Sequence, residues 1–127
     1  MIEIVSIIGA VLLFIAAVFE VLLIAGLPLG EFTMGGRHRV LPPAMRAAGA
    51  ASLLIQVFAG LILLQAGGFM SMWFSFGATR VICYVFAGFF VINTGMNFFS
   101  TSKKEKYTMT PLALAEAVCF LLTAIYM

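Results

Sequence analysis

Four long apolar stretches, each near the length of a membrane-spanning helix, fill most of this 127-residue chain and leave only short polar connections. A bilayer core about 30 Å thick takes roughly 20 mostly apolar residues in helical form. The first stretch runs from about residue 4 to 26 and stops at Pro28 and Gly30. The second begins after Pro42-Pro43, covers about 44–66 and ends at Gly67-Gly68; the third covers about 79–100. The fourth opens at Pro111, a residue suited to a first helical turn, and covers about 111–127. Composition agrees: 9% of residues are charged and 64% hydrophobic, whereas a soluble domain carries roughly 25% charged residues. The expected fold is an all-α membrane protein, a single four-helix transmembrane bundle over residues 1–127.

The connections carry the orientation signal. Arg37, Arg39 and Arg46 flank the first loop, and Lys103, Lys104 and Lys106 lie in the third. Only Arg80 lies on the opposite side, beside an uncharged loop from Gly67 to Ala78. Cytoplasmic loops concentrate Lys and Arg, so loops one and three are expected inside and both termini outside. Phe69, Trp73, Phe74 and Phe76 crowd the outer loop, where aromatic rings favour the headgroup boundary. The N-terminus starts with an acidic residue, Glu3, and its apolar run is long enough to span. A retained helix is therefore expected there, not a cleaved signal.

Polar residues recur inside the apolar stretches, at helical spacing. Positions three, four and seven apart share a helix face. Glu20 falls on a stripe with Ser6, Gly9, Leu13 and Ala16, and Gln56 on one with Gly49, Ser52, Gly60 and Leu63. Glu116 lines up with Ala113, Phe120 and Thr123; Asn93 and Asn97 stack on helix three, roughly opposite Gly88 and Gly95. Small residues beside polar ones mark faces where membrane helices pack. With a rise of about 1.5 Å per residue, Glu20, Asn93 and Glu116 each lie about 8–11 Å inside the cytoplasmic boundary. Asn97 and Arg46 lie nearer that boundary. Glu20, Arg46, Gln56, Asn93, Asn97 and Glu116 thus form a candidate ligand-binding set at one depth. An ionised carboxylate near the bilayer centre costs about 2.5–3.5 kcal/mol on insertion scales and is a functional-site hypothesis by default.

The first loop, LPLGEFTMGGRHRVLPP, holds Gly35-Gly36 between two short polar-apolar segments. Two glycines suit a turn requiring positive φ, so a short β-hairpin or compact lid over the cytoplasmic mouth is expected. Arg37, His38 and Arg39 are either topology determinants or contacts to lipid phosphates or an anionic ligand. The run Lys103-Lys104-Glu105-Lys106 reads as a stop-transfer segment. Cys83 and Cys119 belong to no CxxC or Cys/His pattern and read as buried apolar thiols.

The segment Gly26-Leu27-Pro28-Leu29-Gly30-Glu31, then Gly35-Gly36, Val40-Leu41-Pro42 and Arg46, resembles a family of small, uncharacterised bacterial four-helix integral membrane proteins with a GxPxG…GG…VLP…R first loop. Asn93 or Asn97 and Met109-Thr110-Pro111 match further family features, while Leu29 stands where the family carries an aromatic residue. The resemblance implies a bacterial plasma membrane and no particular activity.

Three functional readings remain open from sequence. The polar set is a site for a small molecule, ion or proton; or the chain is an accessory or structural subunit of a larger membrane complex; or it is an enzyme. In the last, Glu20 and Glu116 would do acid/base work on a lipid-like substrate, with Arg46 and His38 nearby. No activated Ser or Cys arrangement, metal motif or cofactor fingerprint supports an enzyme. No cofactor and no nucleic-acid partner is expected. The partners expected are the bilayer, anionic lipids at loops one and three, and a second copy or a larger membrane protein.

Overall fold

The computed structural model describes residues 1–36 and 38–127, so Arg37 lies outside the described residues. Four α-helices make up the fold: α1 (Ile2–Ile24), α2 (Pro43–Ala66), α3 (Phe76–Phe98) and α4 (Lys103–Tyr126). All four are long and apolar enough to cross a membrane. Apolar side chains cover the outside as well as the core: Ile15, Val18, Leu54, Val85, Ile92 and Ile125 are all exposed. Such a surface suits lipid and not water. The chain is a multi-pass helical membrane protein.

The helices run up and down, placing loops one and three at one end and loop two with both termini at the other. Two helical hairpins result. α1 packs along α2 and α3 along α4, and α1 joins the hairpins by lying against α4. α2 and α3 meet sparingly, chiefly near loop two, where the Phe58 ring lies 6.4 Å from Phe74 and 6.1 Å from Phe86. Further in, Phe86, Phe90 and Phe120 form a stack, with Phe90 and Phe120 centroids 5.6 Å apart.

Glycines set how closely α1 approaches its neighbours. A methyl group on Gly60 would stand 3.0 Å from the Phe14 ring, and one on Gly49 would stand 2.8 Å from Glu20 Oε1. Gly9 faces Leu63 and Cys119 at 2.7 and 2.8 Å by the same measure, so it marks a three-helix junction. Gly88 and Gly95 behave differently. Among the described residues nothing stands within 4 Å of where a Cβ would lie on either, so that face of α3 makes no close helix contact inside the bundle. Cys83 and Cys119 are buried and unpaired.

Two expectations are corrected. The fourth helix begins at Lys103, not Pro111, which lies within it. Ser102 caps it by accepting a hydrogen bond from the Glu105 N–H at 3.4 Å, as a Ser-x-x-Glu capping sequence does. That cap starts the helix two turns before the apolar run. The β-hairpin is also absent among the described residues: the first loop folds into two short 3-10 turns, Gly30–Phe32 and Met34–Gly36. Gly35 and Gly36 do adopt positive φ, both 73°. However, carbonyls of this loop are taken by the two residues leading into α4 and not by a facing strand. Ser102 Oγ donates to the Glu31 carbonyl, and Thr101 Oγ1 donates to the Gly35 carbonyl at 3.3 Å. One bond, Gly30 N–H to the Arg39 carbonyl at 2.7 Å, crosses the loop.

The Gly9 junction leads to a stability prediction. Gly9→Ala forces Leu63 and Cys119 apart and is expected to destabilise the bundle by about 1–3 kcal/mol, the usual cost of overpacking. Gly77→Ala, which meets open space, is expected to leave stability unchanged or slightly raised. Reversible unfolding in mixed micelles measures both; equal stability of the two variants would contradict the junction.

Candidate functional site

A half-open cavity of about 580 Å³ occupies the loop-one half of the bundle. Each helix contributes one face to it. On α4, Glu105, Met109, Leu112, Ala113 and Glu116 line the cavity, a succession that keeps to one side of a 3.6-residue helix. α1 contributes Ala16, Phe19 and Glu20; α2 contributes Ser52 and Gln56; α3 contributes Phe90, Asn93 and Asn97. Leu29, Phe32 and Thr33 from loop one cover the end. The cavity therefore separates α2 from α3 where those helices lack direct packing.

Five residues expected at the site, Glu20, Gln56, Asn93, Asn97 and Glu116, all line this cavity. Arg46 does not. Its Nε donates to the Leu41 carbonyl at 2.7 Å, and its guanidinium lies over Gly26. Leu41 is buried, so its carbonyl needs a donor, and Arg46 supplies one while joining the two ends of loop one. Of the loop residues, His38 and Arg39 are exposed and neither lines the cavity. The exposed side chains of Phe69, Trp73, Phe74 and Phe76 at the opposite end suit an interfacial belt.

Sequence reasoning missed Glu105. It sits within a run of lysines, yet it is only 7% exposed and faces the cavity. The Ser102-Lys103-Lys104-Glu105 capping sequence was the available signal, since it places Glu105 on the first turn of a helix. Also missed was a second polar layer near loop two. Ser6, Gln65, Thr79 and Thr123 are fully or almost fully buried there, and Gln65 Oε1 accepts the Trp73 N–H at 2.8 Å.

Three carboxyl side chains thus face one space. Glu20 is 9% exposed and Glu116 3%. Glu20 rests in the notch at Gly49 beside Gln56, whose Nε2 donates to Ser52 Oγ at 3.0 Å. Glu116 Oε1 is buried with no hydrogen-bond partner, and so is Gln56 Oε1. Buried polar atoms are almost always paired, so two unpaired acceptors in one cavity call for a donor that the described residues do not supply. Among the described residues, none of those lining the cavity is Lys, Arg or His. No three carboxylate, thiol or imidazole groups among the described residues converge closely enough to hold one metal ion. Glu105 and Glu116 alone are separated by about 16 Å along α4.

The cover is held from outside. The Phe32 ring meets Phe19 edge-on at 5.7 Å, and Lys104 forms an ion pair with Glu31 while its ammonium lies 5.8 Å from the Phe32 ring centroid. The hydrogen bond from Lys104, with the attraction of its charge, holds the Glu31 carboxyl below the usual carboxylate range. No protein-family model, curated protein or solved structure matches the chain.

A depressed carboxyl pKa stabilises the closed loop above the ordinary glutamate value of about 4.3, and that contribution is lost as pH falls through the lower folded value. Spin labels at positions 39 and 103, both exposed, are expected to give one narrow distance at neutral pH that broadens on acidification below about pH 4. Lys104→Gln is expected to give the broad distribution throughout. A distribution insensitive to both pH and the substitution would show that the ion pair does not hold the loop.

Proposed function

We infer that this chain is a bacterial plasma-membrane protein that binds a small molecule or ion between its helices, in the cytoplasmic half of the bundle. The observation that carries this reading is Glu116, a carboxyl side chain 3% exposed whose Oε1 has no partner among the described residues although it borders a cavity of about 580 Å³. Side chains serving only to join helices would bond across the interface. Here the groups border unfilled space, within the size range of about 300–1,000 Å³ typical of small-molecule sites. Six of the seven basic side chains flank loops one and three, which supports a cytoplasmic position for the cavity's covered end and an external position for both termini. The first-loop resemblance to small bacterial four-helix membrane proteins supports the bacterial plasma membrane.

The binding reading is tested by thermal unfolding in detergent with benzyltrimethylammonium, benzyl alcohol and benzoate. At least one probe is expected to raise the melting temperature of the wild-type protein and to leave the Glu20→Gln/Glu116→Gln variant unmoved. If wild type and variant respond identically to every probe, these groups hold the helices together and no site exists. Orientation is tested separately: green fluorescent protein fused after Met127 is expected to remain dark and alkaline phosphatase at the same position to be active. A fluorescent fusion would invert the topology.

A second reading, self-association or docking on a larger membrane protein, is favoured by Gly88 and Gly95. They leave the outward face of α3 open to close helix approach. Anionic lipid headgroups are the further partners this reading of the basic loops supports.

A further inference from the structure

We propose that the occupant of the cavity is an amphiphilic organic cation: a protonated amine or a quaternary ammonium or phosphonium centre carried on an apolar, ring-sized body. This rests on the binding reading above and specifies its ligand class. Charge is the first ground. Glu20, Glu105 and Glu116 face the cavity, and no cationic side chain among the described lining residues offsets them. Two basic groups at that end of the bundle are engaged elsewhere, Lys104 with Glu31 and Arg46 with the Leu41 carbonyl. An anionic ligand would meet carboxylates without a counter-charge in a medium of low dielectric.

Unmet hydrogen bonding gives the second ground. The buried cavity atoms without partners are acceptors, Glu116 Oε1 and Gln56 Oε1. A neutral acceptor such as a ketone leaves them unpaired, whereas an ammonium donates to them or, if quaternary, compensates them by charge.

The shape of the charge distribution gives the third. The carboxyls are spread along the cavity, with no three ligating groups close enough for one metal ion among the described residues. Diffuse negative potential along an elongated space suits a delocalised or bulky cation better than a compact, strongly hydrated ion, which demands converging oxygens. Phenyl rings complete the fit. Phe19, Phe32 and Phe90 come from α1, the loop and α3 respectively, and all border the cavity. Aromatic rings attract cations and also take up the apolar body of the ligand.

The test uses the full chain in lipid nanodiscs and equilibrium dialysis of three probes of like size. These are tetraphenylphosphonium, tetraphenylborate and neutral triphenylphosphine oxide, with empty nanodiscs subtracted to remove lipid partition. Tetraphenylphosphonium is expected to bind saturably, and Glu116→Gln to weaken it about 10- to 100-fold through loss of one opposing charge in a medium of low dielectric. Ala16→Trp, which fills the cavity from α1 and leaves every carboxyl in place, is expected to abolish binding. It provides the test if Glu116→Gln does not fold. Arg80→Gln at the opposite end is expected to have no effect. If the borate or the oxide binds as tightly as the phosphonium and Ala16→Trp blocks it, the cavity is a site but its cation preference is refuted. If no probe binds saturably, or if Ala16→Trp leaves binding intact, both the ligand class and the binding reading are overturned.

Discussion

Lipid offers no hydrogen bonds, so every polar group carried into the bilayer has to be met by the protein itself. Helices satisfy the backbone requirement internally, and the remaining question is what becomes of the polar side chains they carry. Here the chain sets them between helices and makes room for them with glycine. The notch at Gly49 admits Glu20, and Gly60 admits Phe14 on the same α1–α2 contact. Without those notches the first helical hairpin could not close while keeping a carboxyl inside. The cavity follows from the same constraint, because α2 and α3 touch near loop two and part where their polar residues begin.

The two ends of the bundle show different solutions to one problem. Near loop two, Gln65 Oε1 accepts from the Trp73 N–H, and Thr79 and Ser6 donate to the Ser75 and Glu3 carbonyls, while Gln65 Nε2 and Thr123 Oγ1 are left without a partner among the described residues. Those contacts fix helix ends. Near loop one, carboxyls and amides face each other across a gap. Candidate binding groups are thus distinguished by bordering the cavity, not by how deeply they lie or by lacking a partner alone.

How much of this was legible in the sequence depended on whether the signal was local. Four helices were legible because a long apolar run has one solution in lipid. The membership of Glu20, Gln56, Asn93, Asn97 and Glu116 in one space followed from helical spacing and shared depth. Arg46 was expected in the same half of the bilayer, nearer its boundary, yet turns away, because the buried Leu41 carbonyl five residues earlier needs its donor. Whether a long side chain reaches inward or back along the chain is decided by unpaired neighbours that periodicity does not reveal. The hairpin expectation failed similarly. Gly35-Gly36 makes the turn, but Thr101 and Ser102 take the carbonyls a strand would have used. Those partners lie about seventy residues away and leave no trace in the local pattern. Glu105 was hidden by its lysine neighbours, although its own capping sequence was there to be read.

The sparse meeting of α2 with α3 has a mechanical consequence. The molecule resembles two leaves, each a helical hairpin, bound along one spine, the α1–α4 contact, with the opposite margin only lightly fastened. Rotation of one leaf about that spine changes the width of the space between them while leaving the packing within each leaf intact. Loop one belongs to the first leaf by sequence but is fastened to the first turn of the second through Glu31, Gly35, Ser102 and Lys104. That fastening spans the pair of leaves at one end, so it sets how far they can swing apart.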